Sequence, residues 1–264
     1  MDQVHLFDNT HQPGQVLSLP LPHTAGFVFH WSPAGAFLMG SPAHDPDAKS
    51  SEQPQRMVQL SHGFWIGETP ITQAQWQVVM GAAPRLYEPG EGSDELPAEG
   101  MSWQQAQLFG QRLTTLLRQS GQLADNQWID LPTEAQWEYA CRAQSSTRWY
   151  FGDDSALLVE HAWFAANSLQ RKQPVKRKRA NPWGLYDLYG NVAEWCRDDF
   201  YLYATAAVTD PLFVAADSVL NIARGGAFSY PAAECRSASR EAIQKDNPFN
   251  EPAGLRIVLV ERPG

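Results

Sequence analysis

Three oxygen-bearing side chains lie close together in the most unusual stretch of the chain, residues 181–195. Asp187, Asn191 and Glu194 stand there among aromatic residues and two glycines, and the stretch follows neither a helical nor a strand period. Carboxylate and carbonyl oxygens are the ligands of hard cations such as Ca²⁺. The pattern predicts a structured loop that a cation orders, or one whose carboxylates accept hydrogen bonds from backbone N–H groups.

The three cysteines, Cys141, Cys196 and Cys235, are odd in number and widely spaced. This spacing fits neither a disulfide framework nor a zinc site, so it predicts free, buried thiols. No Ser/His/Asp or paired-carboxylate scheme is supported by the sequence. The adjacent acids Asp153-Asp154 and Asp198-Asp199 have side chains that tend to diverge, and we interpret them as loop charges.

Residues 181–195 resemble the G-L-Y-D-M-x-G-N-V-W-E-W signature of the formylglycine-generating enzyme family, also called sulfatase-modifying-factor domains. Ala193 stands where the family often has Trp. Further landmarks of the family occur in the right order, at Phe37–Ser41, Phe64–Thr72, Leu131–Ala140, Arg224–Phe228 and Gly254–Ile257. The resemblance extends from about residue 26 to residue 260. It implies an α+β fold of the C-type-lectin-like kind, rich in loops, with few helices packed on short antiparallel strands.

The resemblance also carries an expectation about catalysis. Enzymes of the family oxidise a cysteine of a substrate polypeptide and hold copper with two cysteines, five positions apart, in a segment R-G-G-S-F-x-C-x-x-x-x-C. In this chain Tyr230 stands at the first cysteine position, Ala227 at the serine position, and Cys235 alone matches. Two soft thiolates favour Cu(I), and one thiolate cannot form that two-coordinate site. We therefore expect no catalytic residues, no copper, and a Cys235 that is a packed core thiol.

The signature loop binds calcium in members of the family. Carried over position by position, the ligands would be the side chains of Asp187 and Glu194 and the backbone carbonyls of Gly190 and Val192. Two carboxylates with carbonyl groups suit Ca²⁺, which takes six to eight oxygen ligands. The resemblance therefore implies calcium as the cofactor.

Two functions remain open. The first is a binding or accessory protein that recognises a protein or peptide partner; the alternative is an enzyme with different oxidative chemistry on a peptide or small molecule. We expect the recognition surface between Ser229 and Asn250, because this segment has few large aliphatic residues and so little core to enter. The residues expected there for binding are Tyr230, Glu234, Arg236, Arg240, Asn247 and Phe249. A polar pocket around Tyr230, Arg236 and Arg240 would favour the enzyme, and a flat aromatic patch would favour binding.

Composition and charge narrow the class of protein. The 264 residues include 19 Gly and 19 Pro, which favours a loop-rich fold. The formal charge of −9 argues against nucleic-acid binding, and we interpret the basic run Lys176–Arg179 as a solvated turn. No apolar run is long enough to span a membrane, and no signal peptide is visible, so the expected compartment is the cytoplasm. We expect an N-terminal extension over residues 1–25 and a single domain over residues 26–264.

The same N-terminal capping motif predicts three helices. Thr72, Ser102 and Thr133 are each followed three residues later by Gln, which is the pattern of a capping box. The second of these helices carries apolar residues at the spacing of a core-facing helix. Short strands are predicted around them at Phe27–Phe29, Ala36–Met39, Met57–Leu60, Gly63–Ile66, Ile222–Arg224 and Leu255–Val260. Few helices among many short strands indicate an α+β fold.

Overall fold

The computed structural model describes residues 6–7, 10–22, 26–90, 92–247 and 251–261. Four α-helices pack on three small sheets in this part of the chain, which confirms the predicted α+β class. The helices are α1 (Gln73–Met80), α2 (Trp103–Gln119), α3 (Glu134–Arg142) and α4 (Leu158–His161).

The largest sheet has five antiparallel strands in the order β1-β2-β5-β12-β6. These strands are β1 (Val16–Leu19), β2 (Phe27–Ser32), β5 (Phe64–Gly67), β12 (Val258–Glu261) and β6 (Gln127–Asp130). The C-terminal strand is shorter than predicted. The edge strand β1 lies within the segment that we expected to be an extension, and it pairs with β2 over its whole length.

Two further sheets complete the fold. A four-stranded sheet has the order β10-β9-β7-β11, with β7 and β11 parallel. A three-stranded sheet has the order β3-β4-β8, with β4 and β8 parallel. The strands are β7 (Ala193–Asp199), β9 (Leu220–Arg224), β10 (Arg240–Gln244) and β11 (Ala253–Gly254), and β3 (Gly35–Met39), β4 (Arg56–Leu60) and β8 (Val208–Thr209).

All three predicted capping boxes are present. The hydroxyls of Thr72, Ser102 and Thr133 each accept the backbone N–H three residues on, and the Gln side chain at that position accepts the N–H of the cap residue. Each box satisfies two backbone donors that a helix start would otherwise leave unpaired. The N-termini of α1, α2 and α3 are therefore fixed by local sequence.

The hydrophobic interior forms two clusters. Helix α2 buries Phe109 and Leu113 in the first, beside Ile129 of β6 and Leu259 of β12. Full burial of one such side chain is worth about 1.5–3 kcal/mol, so this face of α2 contributes strongly to stability. The second cluster surrounds α3. Its members include buried residues of the signature stretch, namely Trp183, Leu185, Leu188, Tyr189 and Cys196 just beyond it.

Candidate functional site

The signature loop is held in place by close backbone contacts at its two glycines. Gly184 has φ +82° and Gly190 has φ +70°, which is the left-handed region that favours glycine. A Cβ at Gly184 would overlap the ring of His30, and a Cβ at Gly190 would overlap the carbonyl group of Trp163. The loop therefore packs too tightly against two distant segments to accept other residues at these positions.

Asp187 is buried within this loop. Its Oδ2 accepts the backbone N–H of Lys176 at 2.8 Å, and its Oδ1 accepts the side-chain amide of Asn191 at 3.4 Å. Burial raises the pKa of this carboxyl to about 6, because desolvation outweighs the N–H bond from Lys176 and the charge of Arg256. Asp187 is thus an acid whose charge is only partly compensated by the protein.

The negative charge of Glu194 is compensated much more fully than that of Asp187. Its Oε2 accepts the indole N–H of Trp137 at 2.6 Å and the Nε of Arg256 at 2.9 Å, and its Oε1 accepts Nη2 of Arg256 at 2.7 Å. Arg256 also donates to the carbonyls of Gly67 and Tyr186. The expected calcium ligand is therefore also the anchor that ties the signature loop to β5.

The carboxylate oxygens of this loop have lone pairs that accept no hydrogen bond and could bind a hard cation. A carboxylate has about four lone-pair sites, so acceptor capacity remains on Asp187 and on Oε1 of Glu194. Among the described residues, no group of three or more His, Cys, Asp or Glu side chains is placed to hold a metal ion. A cation would therefore depend on two carboxylates and backbone carbonyls, which is the donor set implied by the resemblance. Arg256 already supplies positive charge beside one of these carboxylates, that of Glu194.

The segment that corresponds to the copper site of the family's enzymes has one cysteine, Cys235, and no thiol pair. Tyr230 is half-buried, and its hydroxyl donates to Oε1 of Glu241 at 2.7 Å. Cys235 is fully buried, and burial raises the pKa of its thiol to about 12. The cavity lined by Tyr230, Glu234, Arg240 and Glu241 holds about 10 Å³, which is room for about one water molecule.

Arg236 is buried, so our expectation that it lies on the recognition surface was wrong. Its guanidinium is 1% exposed and is bonded to Glu52 through both terminal nitrogens at 2.9 Å. Nη1 lies 3.2 Å from Oδ2 of Asp45 and donates to Ser41 at 3.1 Å. The core that it enters is ionic rather than aliphatic, so a shortage of aliphatic residues did not imply exposure.

Arg240 and Asn247 require the same correction. Arg240 is buried and forms a two-pronged ion pair with Glu134, at 2.7 and 2.8 Å. Asn247 is buried and donates to the carbonyls of Met101 and Glu251. Phe249 lies outside the described residues. Tyr230 and Glu234 are partly accessible, and Glu234 lies 3.4 Å from Lys49; their role in binding stays a prediction.

The basic run has partners within the chain. Lys176 binds Glu68 at 2.7 Å, Arg177 binds Glu95 at 2.6 Å, and Arg179 binds Glu160 at 3.0 Å. Lys178 lies over the ring of Trp163 at 3.9 Å. The run forms a turn whose charges are shared with neighbouring acids.

The largest described groove was not anticipated from the sequence. It holds about 910 Å³ and is lined by residues from the N-terminal segment, β2, the β4–β5 turn, β6, the start of α3, β7, the loop after β8, and β12. No motif marks it, because its residues come from segments that meet only in the folded chain.

With the geometry described, comparison with known proteins assigns the family. The model of the sulfatase-modifying factor enzyme 1-like domain matches residues 24–260. The chain therefore belongs to the family of formylglycine-generating enzymes and sulfatase-modifying factors. The formylglycine-generating enzyme of Streptomyces coelicolor is 26% identical over 272 residues, which cover 84% of this chain and 85% of that protein.

Two other relatives show the range of the family. The chaperone protein LppX of Paenibacillus barcinonensis is 28% identical over 175 residues, which cover 50% of this chain; the match spans only 61% of that protein's length. The solved structure of Treponema denticola variable protein 1 is 27% identical, with a TM-score of 0.80, and covers 94% of this chain and 99% of that one. The fold of the family, with the C-type-lectin-like arrangement, is thus confirmed.

A search for membrane spans among the described residues finds no helix with the length and apolar content that a crossing would need.

Proposed function

We propose that this protein is a binding or accessory member of its family, which recognises a protein or peptide partner and does not generate formylglycine. One observation carries the proposal. Tyr230 occupies the position of the first copper cysteine and is bonded to Glu241, where the cavity has room for about one water molecule. The thiol pair is absent from this position, and the cavity that the described residues form around Tyr230 is too small for a reacting peptide.

The state of Cys235 supports the same conclusion. A thiol binds Cu(I) as the thiolate, and a buried thiol with a pKa of about 12 stays protonated at neutral pH. Its Sγ lies 3.9 Å from the carbonyl oxygen of Ala227, within the second core cluster. Cys235 therefore acts as a small apolar core residue.

The fold offers a rigid base for binding. Each of the buried arginines Arg224, Arg236, Arg240 and Arg256 joins segments that are far apart in sequence. Connecting loops on such a base carry recognition in many folds. The loops here are long, and several of their apolar residues are exposed, namely Leu202, Leu212, Phe213, Val214 and Val219.

We include calcium in the proposal as the ion that completes the signature loop. Asp187, Glu194 and the carbonyls of Gly190 and Val192 would hold it, and its charge would offset the buried carboxylate of Asp187. We also place the protein in the cytoplasm, because its three cysteines are free thiols, as is usual in a reducing compartment.

The proposal is tested by asking whether a bound partner is chemically changed. Tagged protein is incubated with lysate of the source cell, and an excess of untagged protein competes in a matched sample. We expect a partner that is retained, is displaced by the competitor, and binds again after purification with its covalent mass unchanged. A partner whose mass changes on incubation with the protein would contradict the proposal and favour an enzyme.

A further inference from the structure

The groove of about 910 Å³ has an apolar floor at one end of the five-stranded sheet. Phe64, Leu131 and Val258 are buried in this floor, and Val260 is partly accessible. The volume lies within the range of about 300–1,000 Å³ that is typical of ligand sites. Above this buried layer the groove presents Phe7, Val260 and Leu212, which are accessible and can contact an apolar side chain of a bound molecule.

The rim of the groove is acidic and fixed. The carboxylate of Asp210 accepts the backbone N–H of Ser61 at 2.8 Å and also its hydroxyl. The Ser61 hydroxyl lies 2.7 Å from Nδ1 of His62, so one short network holds this side of the rim. On the other side, Glu261 accepts the side-chain amide of Asn126 at 2.8 Å. Both acids keep acceptor capacity.

These two acids have no counter-ion within the described ranges. Asp210 and Glu261 form no ion pair with a described Lys, Arg or His, whereas Asp130 on the same rim lies 3.5 Å from Arg197. The whole chain carries a formal charge of −9. A positively charged group of a ligand would therefore be attracted to this rim.

The wall formed by the loop after β8 is anchored. The Phe213 ring stacks on Tyr201 at 4.8 Å, and the Phe213 N–H donates to Asp198 at 3.0 Å. The Phe213 carbonyl accepts the N–H of Asp199 at 2.9 Å. Leu212, which lines the groove and is 40% exposed, is thereby held at its edge. Binding there needs little ordering of the protein, which favours affinity.

We propose that this groove is the recognition site, and that it binds a segment of a partner protein in which an apolar side chain stands next to Lys or Arg. The apolar side chain lies over the floor, and the cation pairs with Asp210 on one side of the rim or with Glu261 on the other. This inference rests on the proposed binding function. It assigns recognition to a surface separate from the segment after the R-G-G turn.

Short fluorescein-labelled peptides provide the probe, and fluorescence anisotropy provides the readout. One peptide alternates leucine with arginine; two matched peptides carry glutamate for arginine, or serine for leucine. We expect the leucine–arginine peptide to bind, and both matched peptides to bind at least about tenfold more weakly. Equal binding of all three peptides, or binding of none, would overturn the proposal.

Variants of the protein test the location. Asp210→Asn with Glu261→Gln should weaken binding of the leucine–arginine peptide about five- to tenfold, since exposed charge pairs are worth up to about 1 kcal/mol each. Asp94→Asn with Asp246→Asn removes the same charge from exposed residues that do not line the groove, and should leave affinity unchanged. Equal losses in both variants would show attraction by net charge alone, and the groove would be rejected.

Two variants that replace a leucine test the location without any change of charge. Leu212→Ser should weaken binding several-fold, whereas Leu169→Ser, at an exposed residue outside the groove, should not. If a partner captured from the source cell binds the groove variants as well as the wild type, the groove proposal is wrong and the proposed function stands. If the captured partner is chemically changed, the proposed function itself is wrong.

Discussion

Arg256 and Glu194 form a fully buried, two-pronged ion pair inside the signature loop, with Nε at 2.9 Å from Oε2 and Nη2 at 2.7 Å from Oε1. The guanidinium stands against a carboxylate that the family resemblance assigns to calcium. Removal of Glu194 would leave a buried, unpaired cation and destabilise the protein with or without calcium. Asp187 is therefore the better position at which to test the ion.

Calcium should raise the melting temperature of the wild-type protein above its value in EDTA. Binding to the native state alone contributes about 2.7 kcal/mol at a hundredfold excess over Kd, which corresponds to about 5–10 °C for a chain of this size. In Asp187→Asn the shift should be lost, because one of the two carboxylates has gone. Coincident wild-type curves would show that hydrogen bonds and Arg256 alone order the loop.

Arg236→Met should destabilise the protein by about 3–5 kcal/mol in urea unfolding, because Glu52 is left buried without its cation, while Asp45 keeps Arg148 at 3.4 Å. The exposed pair Arg177–Glu95 supplies the control. Arg177→Met should cost less than about 1 kcal/mol. Similar losses in the two variants would contradict the structural role assigned to Arg236.

None of the three cysteines should react with a thiol reagent in the native protein at pH 8. Burial raises the pKa of Cys141 and of Cys235 to about 12 and raises that of Cys196 as well. All three should react after unfolding in guanidinium chloride. Labelling of Cys235 in the folded protein, read by peptide mass, would mean that its thiol is accessible and would reopen the question of metal binding.

Asp198 should make stability fall as pH rises from about 4 to 7. Burial, followed by the nearby carboxylate of Glu134, raises its pKa from 3.8 to about 7, against the N–H bonds from Glu134 and Phe213. The folded state then holds a proton that the unfolded state has released, so this group favours folding below its unfolded pKa and loses that contribution as pH reaches 7. The difference is on the order of 4 kcal/mol.

Urea unfolding at pH 5 and pH 8 measures this dependence. Asp198→Asn cannot ionise, so the stability difference between the two pH values should shrink in the variant, even though one N–H loses its acceptor. An unchanged difference would assign the pH dependence to other buried acids, such as Asp187, whose pKa is also raised.

Local features of the fold could be predicted because their partners are close in sequence. Thr72 and Gln75 form a capping box within one turn of helix, and such a pattern is visible in a single chain. The start of β7 could not be predicted from the sequence. Residues 193–195 belong to the signature stretch, which we interpreted as a loop, but they pair with β9 and β11. Pairing across the chain leaves no local signal.

The site was harder to predict for the same reason. Glu52, the main partner of Arg236, is 184 residues away in sequence, so the sequence of the segment after the R-G-G turn could not show that Arg236 is buried. The groove is equally non-local, since Ser61 and Asp210 are separated by 149 residues. The substitution at Tyr230 could be found, because the copper motif is a short run of adjacent positions.

The central claim is that this protein belongs to the family but binds its partner without oxidising it. The most direct test measures the mass of a peptide whose cysteine resembles that of a substrate. The protein is incubated in air with Cu(I) and a peptide of the form C-x-P-x-R, beside a sample with Cu(I) alone. We predict that the cysteine keeps its mass at the rate of the metal-only control, because Tyr230 and the buried Cys235 leave no thiolate pair. Conversion of the cysteine to an aldehyde above that control would contradict the account.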